Sequence, residues 1–201
     1  MKLSENLQKL LPFGYLFLVV IGILKESVFF YQIGINILKY SSIMDILISP
    51  IATLTSNPII LVAVIIVTTF CYAYPIVLAK RRNKKWAQKL ATLKNEEELN
   101  EEKAETHFTK IFVLLFAFAL ISFFLGIGIG EGIGLKKKIK GNKLTYNRTL
   151  TYGSGEAEEV YLISTNSVYF FYLSKGSNVV KIAPIGAIKH IDLTKNKMLD
   201  Q

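Results

Sequence analysis

Residues 58–79 read PIILVAVIIVTTFCYAYPIVLA. They lie inside a longer interval, 46–79, that holds no Asp, Glu, Lys or Arg. Twenty helical residues at 1.5 Å each reach about 30 Å, the hydrocarbon thickness of a bilayer. Ser56 or Asn57 can cap this helix, and Pro58 fits a first turn that needs no backbone donor. Pro75 is expected to kink the last turn, because it cannot donate to the carbonyl of Cys71. A second uncharged run, 111–130, reads IFVLLFAFALISFFLGIGIG. A third apolar run, LLPFGYLFLVVIGIL, occupies 10–24. The spacing predicts an integral membrane protein with three transmembrane helices at about 11–33, 58–79 and 110–134. Composition agrees: 51% of the 201 residues are hydrophobic and 19% charged, with a mean hydropathy of +0.38, which excludes a soluble single-domain enzyme. No A-x-A-like site follows the first run, so it is not read as a cleavable signal peptide.

Working outward, Lys25 and Glu26 interrupt the first span. Sequence neighbours on a helix point about 100° apart, so the two are not expected to pair well with each other. Each then needs another partner: a neighbouring subunit, a polar pore or the interface. The competing reading ends the span at Leu24 and lets both charges reach the headgroups by snorkelling. Residues 34–57 are polar and broken by Ser49-Pro50 and Ser56-Asn57-Pro58. They are read as an interfacial helix and a turn, with a re-entrant segment as the alternative, and Asp45 is read as interfacial.

Between the second and third spans, residues 80–109 form a charged helical hairpin. Its first arm, AKRRNKKWAQKLATLK, is basic, and its second, EEELNEEKAETHFTK, is acidic. Asn95 opens the second arm with a carboxylate three residues on, a variant of the capping box. Arg81, Arg82, Lys84 and Lys85 are candidates for an anionic ligand, and Trp86 beside them can stack on a base. The plainer reading is self-neutralisation between the arms, in pairs each worth about 0–1 kcal/mol.

The third span ends in alternating glycines. Gly126, Gly130 and Gly134 share one helical face, and Gly128 and Gly132 share another. Such spacing lets helix backbones approach closely, and it can equally loosen the helix end. Glu131 lies near the end of this span and would form a ring of carboxylates in an oligomer; alone, it is an interfacial Glu. From Lys143 the period changes to two. The stretches LTYNRTLTY, EEVYLIS, VYFFYL, VVKIA and IKHIDL, separated by Gly153-Ser154-Gly155 and Lys175-Gly176-Ser177-Asn178, predict four or five short strands. The fold class is therefore membrane α with a small β unit. Residues 1–140 form the helical domain, and 141–201 form a small sheet or barrel.

The N-terminus and hairpin carry eleven Lys and Arg near the membrane, against six on the other side. Positive residues favour the cytoplasmic face. The expected placement is multi-pass in a bacterial cytoplasmic membrane, hairpin inside and β unit outside. The net charge of +9 points to anionic headgroups or an anionic ligand. A single Cys permits no internal disulfide, and with only two His it leaves no usual structural zinc set. No catalytic motif is present, so no enzyme, metal or cofactor is expected. GIGIGEGIG lacks the strand–turn–helix setting of a dinucleotide site.

Two stretches carry a resemblance: GILKESVFFYQIGINILKYSSIMDILISP at 22–50, and VYLISTNSVYFFYL at 160–173 with VVKIAPIGAIKHIDL at 179–193. They resemble small multi-span bacterial membrane proteins. The layout is similar to the membrane effectors of bacterial anti-phage systems, Hailong among them. That resemblance implies a pore-forming effector in antiviral defence. It also implies a nucleotide or oligonucleotide ligand and a partner protein encoded by the same system. Two readings stay open: a homo-oligomeric ion channel, or a membrane-anchored sensor or scaffold without conduction. Three spans without an inverted repeat leave little for a transporter.

Overall fold

The computed structural model describes residues 2–80 and 101–194. Among the described residues there are four helices: α1 (Lys2–Tyr31), α2 (Ile43–Ser56), α3 (Pro58–Lys80) and α4 (Glu101–Lys140). Three stretches of them are long and apolar enough to cross a membrane: Leu11–Tyr31, Pro58–Val77 and Phe108–Lys140. α3 remains one helix through Pro75, which is buried. α4 remains helical through all five alternating glycines and the lysines beyond them. Its 33-residue apolar stretch is about 50 Å long by helical rise, well over one hydrocarbon thickness.

Two helix ends are closed by the same device. At α1, Ile35 N donates to Phe30 O across 3.0 Å, and Gly34 takes φ +79°. At α4, Lys143 N donates to Lys138 O across 2.9 Å, with Asn142 at φ +50°. Both are Schellman caps, which need a residue in the left-handed region just past the helix. Lys137, Lys138 and Lys140 in the last turn of α4 complement its negative dipole end.

The chain falls into two compact units, Met1–Pro50 with Leu125–Gln201, and Ile51–Phe124. In the first, α1 and the end of α4 run side by side in the same direction. Gly128 lies against Lys25, and Gly132 against Phe29 and Gln32. In the second unit α3 and α4 are antiparallel, with the Tyr74 and Phe112 rings 5.3 Å apart.

The β unit is a five-stranded antiparallel sheet in the order β4-β3-β2-β1-β5. Its strands are β1 (Arg148–Tyr152), β2 (Ala157–Thr165), β3 (Tyr169–Ser174), β4 (Val180–Pro184) and β5 (Ile188–Leu193). β4 and β5 are the two edges, yet only the 3-10 turn Ile185–Ala187 joins them. Four peptide steps reach at most about 14 Å, less than the roughly 19 Å of four flat strand spacings, so the open sheet must curl to bring its edges nearer at that end. Curling explains a core without a second layer. Leu150, Val160, Tyr172 and Ala183 share one face, where Leu162, Phe170 and Ile188 join them. The opposite face carries Phe171, fully buried against Phe30 of α1 and Ile37 of the 3-10 turn Ile37–Lys39.

Candidate functional site

The charged pair in α1 lies inside the helix, because the helix continues to Tyr31. Lys25 is 8% exposed. The expectation that Lys25 and Glu26 would not pair is corrected: Lys25 Nζ stands 2.7 Å from Glu26 Oε1. Flexible side chains close the 100° gap, and a third group completes the site. Lys25 Nζ donates to Ser49 Oγ across 3.1 Å, and the Ser49 hydroxyl donates to Glu26 Oε1. Ser49 is brought in by α2, which packs on α1 where Gly22 leaves room. A Cβ on Gly22 would sit 2.0 Å from the Ile46 carbonyl oxygen. By helical rise, Gly22 lies about 13 Å and Lys25 about 9 Å from the end of α1 at Tyr31. α2 therefore meets α1 well inside the apolar stretch, and not at its end.

The start of α2 is a capping box that the sequence reading passed over. Ser42 N donates to Asp45 Oδ2 across 2.9 Å, and Asp45 N donates to Ser42 Oγ across 3.1 Å. The S-x-x-D spacing before an apolar run was the available signal. Asp45 also accepts from Ser167 N and Ser167 Oγ, both at 3.0 Å, in the β2–β3 turn. Asn166 Nδ2 donates to Tyr40 O across 3.0 Å beside it. Burial pushes the Asp45 carboxyl up, but the hydrogen bonds from Ser42 and Ser167 outweigh it and hold the group below the usual range. Its stabilisation is then full above the unfolded carboxylate value of about 4 and is lost as pH falls through the lower folded value. Asp45→Asn should lower stability by about 1 kcal/mol at neutral pH. The gap to the unmodified protein should close in acid, read by thermal unfolding in detergent between about pH 6 and pH 2. A gap independent of pH would contradict this role.

On the face of the sheet that carries the apolar core, a half-buried polar group sits beside Tyr172. The Tyr152 hydroxyl donates to Glu158, and the two tyrosine oxygens, Tyr152 and Tyr172, are 2.6 Å apart. With its proton committed, Tyr152 must accept from Tyr172. Lys181 closes the chain 3.0 Å from Glu158. Burial, then the bonds to Glu158 and Tyr172, push the Tyr152 phenol far above its ordinary value. Burial also raises Glu158, but the hydroxyls of Ser174 and Tyr152 and the Lys181 ammonium hold it below the carboxylate range.

The glycines of α4 divide between two roles. Gly128 and Gly132 face α1; a Cβ on Gly128 would stand 2.5 Å from the Lys25 carbonyl oxygen, and one on Gly132 2.8 Å from that of Phe29. At 100° per residue Gly126, Gly130 and Gly134 lie on the opposite side of α4. Each has nothing within 4 Å of an added Cβ. Glu131 sits between these faces and is exposed. The structure brings Lys25 and Glu26 together with Ser49, and it does not bring Glu131 to them. Arg81, Arg82, Lys84, Lys85 and Trp86, with most of the 80–109 hairpin, lie outside the described residues. His190 is half exposed, with its Nε2 3.4 Å from Asp192 Oδ2.

No family model, curated protein or solved structure matches the chain.

Proposed function

We propose that the chain is an integral membrane protein that assembles into a homo-oligomer with a polar pathway, an ion channel or pore-forming effector. One observation carries the reading. The glycine face Gly126, Gly130, Gly134 is open in the single chain and flanked by the exposed carboxylate of Glu131, on a helix of membrane-spanning length. Glycine in mid-helix costs about 1 kcal/mol each relative to alanine. Gly128 and Gly132 recover that cost by close approach to α1; the opposite face recovers it only against another copy. Lipid gives helices no hydrophobic drive to associate, so small residues at this spacing are what permits contact. Exposed Glu131 is expensive facing hydrocarbon and tolerable facing water inside an assembly. A ring of such carboxylates favours cations.

The alternative, an anchored sensor without conduction, draws support from the sheet. Phe171 and the Asp45–Ser167 bonds tie the β unit to α1 and α2, so a partner pulling on the sheet pulls on the helix that holds the ion pair. Gating by a nucleotide or oligonucleotide at Arg81, Arg82, Lys84, Lys85 and Trp86, in an anti-phage setting, rests on the sequence alone. Cross-linking in membranes separates the readings. Gly130→Leu should abolish oligomers by bulk while leaving the monomer folded, and Glu131→Gln should leave oligomers intact. Monomers throughout, in the unmodified protein, would leave the anchored sensor.

A further inference from the structure

The pair α3 and α4 encloses a groove. At one end it has a volume of about 280 Å³ and is lined by Cys71, Tyr72 and Pro75 of α3 and by Thr109 and Phe112 of α4. Past Phe116, which lines both parts, it continues as a volume of about 180 Å³ bounded by Ala63, Val67 and Ala119. From Ile76 to Ala63 is about 20 Å by helical rise, somewhat more than the hydrocarbon depth of one leaflet, about 15 Å. The far part is apolar throughout. Its only hydroxyl-bearing neighbour on α3, Thr68, spends its proton on the Val64 carbonyl at 2.7 Å.

Among the described residues of this unit, cations stand at one end of the groove only. Its α3 lining recurs as 63/64, 67/68, 71/72 and 75/76, so the next positions on that stripe are 79 and 80, which places Lys80 in line with it. On α4, Lys110 lies one turn before Val113, another lining residue. Both lysines are exposed, and both stand at the end of their apolar stretches. In the sequence, Arg81 and Arg82 follow Lys80 directly.

We propose that this groove binds an anionic phospholipid, with one acyl chain along α3 and α4 and the phosphate at Lys80 and Lys110. Charge complementarity selects this occupant. An apolar slot of leaflet depth with two ammonium groups at its mouth fits a chain carrying a terminal anion. Neither a neutral chain nor a chainless anion uses both parts. The inference rests on the membrane reading of α3 and α4 but not on conduction, since lipid binding is measured in detergent whether or not ions pass.

The test is native mass spectrometry of the full chain with phosphatidylglycerol or phosphatidylcholine of identical chains. A near-surface lysine is worth about fivefold in affinity for anionic lipid, so two predict about 25-fold preference for phosphatidylglycerol. Lys80→Gln with Lys110→Gln should bring the preference close to parity. Ala119→Phe should weaken both lipids by filling the slot. Alkylation of Cys71, the chain's only cysteine, reads occupancy in the unmodified protein. Phosphatidylglycerol should slow its reaction with N-ethylmaleimide, and glycerol phosphate should not. Equal binding of the two lipids, a preference unchanged in the double glutamine variant, or alkylation indifferent to phosphatidylglycerol would overturn the proposal.

Discussion

Glu26→Leu should destabilise the protein by about 3–5 kcal/mol, the largest loss expected from any single side-chain change. The reason is the charge left behind. The Lys25 and Glu26 side chains are 10% and 16% exposed, so neither ion has water to fall back on. Removing the carboxylate leaves the Lys25 ammonium with Ser49 as its neutral partner, inside an apolar stretch. Intramembrane charge is costly, by an insertion scale about 2.5–3.5 kcal/mol for a central lysine. The pair itself is a different matter, because its attraction roughly repays its desolvation. Lys25→Met with Glu26→Leu should therefore recover most of the stability that either change alone removes. A denaturing detergent titration of the four proteins checks this. If the double variant lost the sum of the single losses, the ions would act independently, and the site would not be a closed pair.

Gly22→Ala should cost about 3 kcal/mol, the top of the range for overpacking, because the obstruction is backbone and not a movable side chain. The added methyl would meet the Ile46 carbonyl oxygen at 2.0 Å, so α2 must move away from α1. That shift would carry Ser49 from the ion pair and Asp45 from the β2–β3 turn, so one methyl should loosen two sites. Gly128→Ala should behave similarly through the Lys25 carbonyl at 2.5 Å. Gly130→Ala is the matched control. Its methyl meets nothing within 4 Å, and helix propensity alone should favour alanine by about 1 kcal/mol in the monomer. Thermal unfolding of the three variants in detergent gives the comparison. Equal effects at Gly128 and Gly130 would mean that α4 does not pack on α1 through the Gly128 face.

Some of this was legible in the sequence because it depends on local pattern. The three apolar stretches follow from runs free of charge, and the strands follow from the period-two alternation after Lys143. The strand order was not legible, since nothing local tells β5 to return to β1. The curl depends on that return. The fate of Lys25 and Glu26 depended on Ser49, which lies 24 residues from Lys25 and arrives only when α2 packs against Gly22. Glycine spacing revealed two faces on the third helix but not which one the chain itself would use. That choice depends on how α1 lies beside α4. Ser42 and Asp45 could have been read as a cap, and the polar character of 34–57 hid it.

Conductance across a planar bilayer, recorded with purified protein whose oligomeric mass is known, decides whether the protein is an oligomeric channel. Discrete cation-preferring steps from an oligomer are expected. Gly130→Leu should abolish both the oligomer and the steps, and Glu131→Gln should keep the steps with lower cation preference. A protein that stays monomeric in the bilayer and passes no ions would not be a channel.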